Sequence, residues 1–193
     1  ASQQARLSRE FKLDLRVHNR EGLLRELNGN LTDLAIMVRP PDGDDTVHEA
    51  FAPHAYVIVA PPSHPLAGRP GIALDRVLEE TFITREPGSD TWHAMREALG
   101  ERCARLKSGM EIGSNETIKQ AVIAGLGLSF LSAHAIALEV AARHLVILDV
   151  AGFSAIGANP ALGLVFPLAA RAVGVIASIA GVYAVKAKEG ETD

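Results

Sequence analysis

One stretch constrains the chain more than any other: residues 110–132, MEIGSNETIKQAVIAGLGLSFLS. A short extended segment comes first. Ser114 then stands where a helix cap belongs, with Thr117 close behind, and Ile118, Val122, Ile123 and Leu126 fall on one helical face. Gly125 and Gly127 stop that helix, and residues 128–131 resume as an apolar strand. The first backbone N–H groups of a helix have no partner inside it, so a capped start attracts anions and polar ligand groups. The stretch reads as strand, ligand-facing helix start, then strand.

The surrounding chain follows the same alternation. Leu13, Leu15 and Val17 alternate with charged neighbours, which predicts a strand over residues 12–17 with one wet face. A turn at residues 18–22 leads into a short helix marked by Leu23, Leu24 and Leu27 and ended by Gly29. Residues 34–38 and 55–60 are apolar without alternation, as in buried parallel strands. Further strands are expected at residues 82–84 and 145–150, and helices at 74–78 and 91–99. Pro61, Pro62 and Pro65 remove three backbone donors in five residues, which marks 61–65 as a lobe boundary. This pattern predicts an α/β fold with mainly parallel sheets.

Composition narrows the function. A chain of 193 residues with 48% hydrophobic content can bury a core, in one domain or two small lobes. Its net charge of −4 argues against a nucleic-acid surface. The single cysteine, Cys103, excludes an internal disulfide and fits a reducing compartment, hence the cytoplasm. The N-terminal residues are polar and lack the apolar core of a signal peptide. From residue 151 to 185 the only charged side chain is Arg171. That span is read as a buried terminal helix in preference to a membrane crossing, because Arg171, Pro167 and several glycines interrupt it.

Two loops look like ligand-facing helix starts. One is residues 113–117, GSNET. The other is residues 85–91, REPGSDT, which opens the helix carrying Trp92, Met95 and Leu99. Each follows a strand, and ligands of open α/β sheets collect at the carboxyl ends of strands. Arg85 adds a charged fork for a carboxylate or phosphate. Either loop alone is ordinary capping; two in one lobe point to a small-molecule site. Catalysis finds little support. Cys103 lies between Arg102 and Arg105 without a matching base, the seven histidines show no metal-ligand spacing, and the acidic run at residues 42–45 lacks the ligands of a calcium loop. Neither an enzyme, a metal site nor a cofactor is expected.

Several segments match a known family. LDLRVHNREGLLRELNGNLTDLAIMVRPP, AFAPHAYVIVAPPSHPLAG, ETFITREPGSDTWHAM and the stretch beginning GMEIGSNETIKQ cover roughly residues 10–150. In combination they resemble the effector-binding, or regulatory, domain of LysR-type transcriptional regulators, and within that family the CbbR-like carbon-fixation branch. The resemblance implies two Rossmann-like lobes, as in type 2 periplasmic binding proteins. Lobe one would span residues 1–65 with its hinge at 61–65, lobe two residues 66–149, and residues 150–193 would return to lobe one. It also implies a small anionic metabolite in the interlobe cleft, such as a phosphorylated sugar, another central metabolite or a nucleotide cofactor. Pairing into dimers or tetramers, and DNA contact only through a winged helix-turn-helix that this chain does not contain, follow in the same way.

Carried over position by position, the effector-binding candidates are Arg85, Ser89, Thr91, Ser114 and Asn115 from the second lobe, with His18, Asn19 and Arg39 from the first. Two departures are expected to matter. The first strand and most of the first helix of lobe one are not matched, so lobe one is expected to be truncated. After Val150 the residues AGFSAIGANPALGLVF do not follow the family pattern. The alternative reading is a periplasmic-type solute-binding protein, which shares the fold.

Overall fold

The computed structural model describes residues 14–38, 41, 48–52, 54–153 and 162–164. These fall into two compact units. One holds the described residues up to Phe51 together with residues 163 and 164; the other is Ala52–Leu162.

In the first unit, helix α1 (Arg20–Asn28) opens on Asn19, whose side-chain oxygen accepts from the Gly22 amide at 3.0 Å, and closes on Gly29. Leu27 of α1 is buried with Ala35 and Met37, and Leu23 and Leu24 pack against them. Met37 belongs to the short strand β1 (Ile36–Met37), which pairs antiparallel with β8 (Leu162–Leu164). Strand β2 (Glu49–Ala52) completes a three-stranded sheet in the order β1-β8-β2. The strand expected at residues 12–17 does not form over the part described. Residues 14–17 join no ladder, and Leu15 and Val17 are 64% and 73% exposed. Alternation records two unlike faces; it does not supply a neighbouring strand to pair with.

The second unit is built on a five-stranded sheet in the order β5-β4-β6-β3-β7. Its strands are β3 (Tyr56–Ala60), β4 (Thr81–Thr84), β5 (Lys107–Glu111), β6 (Leu128–Ser132) and β7 (Val146–Ile147). Strand β4 pairs parallel with both β5 and β6. Strand β3 pairs antiparallel with both β6 and β7. The sheet is therefore mixed, not mainly parallel. The unbroken apolar run of β3 correctly marks a strand covered on both faces, and β6, apolar but for Ser129 and Ser132, is covered likewise, since every residue of each is buried. Burial does not encode direction, so the antiparallel partners of β3 are not visible in its composition.

Helices α2 (Leu74–Val77), α3 (Asp90–Leu99), α4 (Asn115–Ile123) and α5 (Ala137–Ala141) dress this sheet, and a 3₁₀ turn spans Gly100–Arg105. Ile118 and Val122 of α4 are fully buried against Val57, Val59, Ile83 and Leu131, with Ile136 and Leu145 completing the cluster. Leu126, expected on the same helical face, lies beyond the helix end and is 55% exposed. The end itself is a Schellman motif. The Leu126 amide donates to the Ala121 carbonyl at 3.1 Å and the Gly125 amide to that of Val122 at 2.9 Å, with Gly125 left-handed at φ +78°. Residues 61–65 lie inside the second unit, the chain passing between units at Phe51 and Ala52. They fold as successive turns, His64 amide to Pro61 carbonyl at 3.0 Å and Ala67 amide to His64 carbonyl at 2.9 Å.

The two glycines after α4 have different reasons to be glycine. A Cβ at Gly125 meets open space, whereas one at Gly127 would lie 2.7 Å from the Thr81 carbonyl oxygen. Gly125→Ala is expected to cost about 1 kcal/mol through its left-handed backbone alone. Gly127→Ala must push β6 off β4 and is expected to cost about 1–3 kcal/mol. Urea unfolding of the two variants reads the ranking.

Candidate functional site

Strands β4 and β5 are parallel neighbours, so both end at the same edge of the sheet. Arg85 follows β4 directly. The next four residues make a turn with the pattern of type II: Pro87 second, Gly88 third at φ +91°, and the Ser89 amide donating to the Glu86 carbonyl at 3.3 Å. Ser89 then caps α3, its hydroxyl accepting from the Trp92 amide at 3.1 Å while donating to the Glu86 carbonyl at 3.0 Å. Ser89 is 1% exposed, so its hydroxyl is committed to the loop. Thr91 is buried in the first turn of α3.

The chain leaving β5 runs through Gly113 to Ser114, whose hydroxyl accepts from the Thr117 amide at 3.4 Å and caps α4. Asn115 opens that helix. Its side-chain oxygen accepts from Arg85 Nη1 at 2.7 Å, which joins the two loops across thirty positions of sequence. Arg85 also grips its neighbour: Nε donates to Glu86 Oε2 at 2.7 Å and Nη2 to Glu86 Oε1 at 3.0 Å. A guanidinium has five N–H donors, and these three bonds leave two. Four of the five second-lobe candidates (Arg85, Ser89, Ser114 and Asn115) thus lie on two loops tied together at one sheet edge. Glu86 was not among the candidates. The only sequence signal for it is a carboxylate adjoining an arginine at a strand end.

Helix α4 is held in place from below. Lys119 Nζ donates to Glu116 Oε1 and Glu139 Oε1, each at 2.7 Å, and to the Ala135 carbonyl at 3.1 Å. Burial pulls the Lys119 ammonium down, but the bonds to Glu116 and Glu139 outweigh it and hold the group above its ordinary pKa. The bond from Lys119 holds the Glu139 carboxyl below its ordinary value against the opposing effect of burial. His54 is pulled down to about 4 by burial and then by His134, which keeps it neutral near pH 7. It sits at the start of β3 against Tyr56. Among the described residues, no three His, Cys, Asp or Glu side chains gather as metal ligands, and no helix is long and apolar enough to cross a membrane. The apolar span 169–185 lies outside the described residues.

The first-lobe candidates belong to the other unit. Asn19 caps α1. His18 Nε2 lies 3.2 Å from Glu26 Oε1, which also accepts from Arg16 Nη1 at 3.3 Å. Arg39 lies outside the described residues.

The family model described as the LysR substrate binding domain matches residues 4–170. The chain belongs to that family. The LysR domain is 48% identical over 141 residues to the RuBisCO operon transcriptional regulator of Allochromatium vinosum, covering 73% of this chain and 47% of that protein. It is 40% identical over 181 residues to the HTH-type transcriptional regulator CbbR of Cereibacter sphaeroides, covering 90% of this chain and 58% of that protein. It spans about half the length of the curated relatives it matches. Among solved structures, the CcmR regulatory domain of Synechocystis PCC6803 in complex with 2-PG is similar with a TM-score of 0.73 and 32% identity, covering 90% of this chain and 83% of that one. The fold is that of LysR regulatory domains, which is the type 2 periplasmic binding protein-like fold. The relatives are transcriptional regulators, not enzymes.

Two tests follow from the packing. Ser89→Ala removes the cap of α3 and one bond to the Glu86 carbonyl at once, and is expected to cost about 1–2 kcal/mol in urea unfolding. For Glu139, a folded pKa below the unfolded 4.5 means that the unfolded chain takes up the proton first on acidification. Its stabilisation is complete above pH 4.5 and is lost as pH falls through the folded value. Glu139→Gln is expected to flatten the acid limb of the melting temperature against pH.

Proposed function

We propose that this domain is the sensing half of a LysR-type regulator of carbon-fixation genes, and that it binds a small phosphorylated anion at the loops leaving β4 and β5. The observation that carries this reading is the Arg85–Asn115 bond, which gathers a cation and two capped helix starts at one sheet edge. Helix-start amides and a planar guanidinium are the donors that phosphate and carboxylate take. The likeness to the CcmR regulatory domain in complex with 2-PG supports an anion of the 2-phosphoglycolate class. The likeness to RuBisCO operon and CbbR regulators supports the gene class.

In this reading Arg85 and Asn115 contact the ligand, Ser114 presents the start of α4, and Ser89 and Thr91 hold the loop that aims Arg85. The first-lobe candidates His18, Asn19 and Arg39 belong to the same proposal, each tested by its own alanine variant. A winged helix-turn-helix carried elsewhere in the full-length regulator, association into dimers or tetramers and a cytoplasmic setting are parts of it too. The relatives favour sensing over the solute-binding alternative.

Calorimetric titration with 2-phosphoglycolate tests the reading. The wild-type chain is expected to bind it, and Arg85→Met to weaken binding by at least about tenfold, the loss of one charge-assisted fork. Absence of any heat with 2-phosphoglycolate and inorganic phosphate would overturn it.

A further inference from the structure

The guanidinium that the proposed effector needs is already holding an anion from its own chain. Glu86 meets Arg85 through both carboxylate oxygens, at 2.7 Å to Nε and 3.0 Å to Nη2, which is the fork-on-fork geometry of a bound carboxylate or phosphate. Both side chains are largely withdrawn from solvent, 12% and 22% exposed, so the pair is less screened than a surface contact. Consecutive side chains on an extended strand point to opposite faces. Arg85 and Glu86 meet because the chain leaves β4 there and turns, and the Glu86 backbone is pinned in that turn by the amide and hydroxyl of Ser89. On the other side, Gly113 leaves the carboxylate room: even a Cβ there would stand 3.8 Å from Glu86 Oε2.

We infer that Glu86 is an internal competitor that occupies the Arg85 fork until an anionic effector displaces it, and so sets the affinity threshold of the site. The inference rests on the anion-sensing reading above. Its physical content is an exchange. A ligand that offers Arg85 a single carboxylate replaces one carboxylate with another and gains nothing to offset its lost translational freedom. A phosphomonoester brings a second charge and further oxygens, which reach the hydroxyl and amides at the start of α4 as well as the fork. Glu86 therefore holds back weak monoanions and admits anions that bind at several points. Asn115 keeps its bond to Nη1 throughout, so the guanidinium stays aimed while its partner changes.

Calorimetry on the full chain decides the matter, with 2-phosphoglycolate and acetate as probes and wild type, Glu86→Gln and Arg85→Met compared. Glu86→Gln keeps the size and removes the charge. It is expected to tighten 2-phosphoglycolate by about tenfold and to bring acetate into the measurable range, while Arg85→Met loses both. Thermal melts check that each variant is folded, and Glu86→Ala, which removes the carboxylate by a different route, is expected to shift affinity the same way. Unchanged or weaker 2-phosphoglycolate binding in both Glu86 variants, with a binding wild type, overturns the inference: Glu86 then orients Arg85, and the anion-sensing reading stands. If neither wild type nor the Glu86 variants bind, both fall.

Discussion

Parallel pairing of β4 with β5 is the constraint on which the site depends. Parallel neighbours run in the same direction, so the loops leaving them rise from one edge of the sheet and each must find a helix to turn back along. That obliges two helix starts to stand side by side. Arg85 and Asn115, thirty positions apart, reach one another only because their strands end level, with the Ile112 amide donating to the Thr84 carbonyl at 2.9 Å just below them. Strand β6, on the other flank of β4, secures the arrangement through the buried Ser129 hydroxyl, which donates to the Ile83 carbonyl at 2.7 Å. An antiparallel partner in place of β5 would send its loop to the opposite edge and dissolve the site.

Two buried or half-buried cations in this unit show how the same chemistry serves different ends. Lys119 has three N–H donors, and all three are spent: on Glu116, on Glu139 and on the Ala135 carbonyl. Nothing is left for a ligand, and withdrawing one carboxylate would leave the buried ammonium short of a partner. Its work is to bind α4 to the segment entering α5. Arg85 keeps two donors unspent, and its carboxylate partner comes from the side chain next door in sequence, not from a second packed helix. The contrast separates a cation that locks structure from one that, in the proposed exchange, changes partners.

Much of this was legible from residues alone, for reasons that can be stated. The caps Ser89 and Ser114 were visible because a hydroxyl before a helical phase has few other uses. Ile118 and Val122 announced the buried face of α4 through their spacing. Leu126 broke the pattern because Gly125 turned the chain before it could join that face. The strand expected around Leu13, Leu15 and Val17 shows no ladder over its described residues, since a strand needs a partner that local sequence does not name. The antiparallel placement of β3 was hidden for a related reason: an apolar run reports that both faces are covered and is silent on direction. The prolines at residues 61–65 illustrate a further ambiguity. Missing donors end a strand, and they can mark a joint or a stiff turn. Here the Pro61 carbonyl and His64 take up neighbouring amides and the segment stays with the sheet it leaves. Glu86 carries no local signal, because a side chain beside Arg85 becomes its partner only through the turn that follows.

The electrostatics of the site argue for recognition at short range. The chain carries a net charge of −4, and the two helix starts already hold Asp90 and Glu116 in their first turns, with Glu86 on Arg85. At physiological salt long-range fields fade within about 8 Å. In the proposed reading what favours an approaching anion is local: oriented amides that cost no reorganisation, the hydroxyl-capped start of α4, and a guanidinium whose present partner is itself an anion. A site of this kind responds poorly to charge alone and strongly to shape, because a ligand must satisfy several fixed donors together before it outweighs the carboxylate it replaces. In the proposed reading, discrimination among anions comes from how many of those donors one molecule can reach at once.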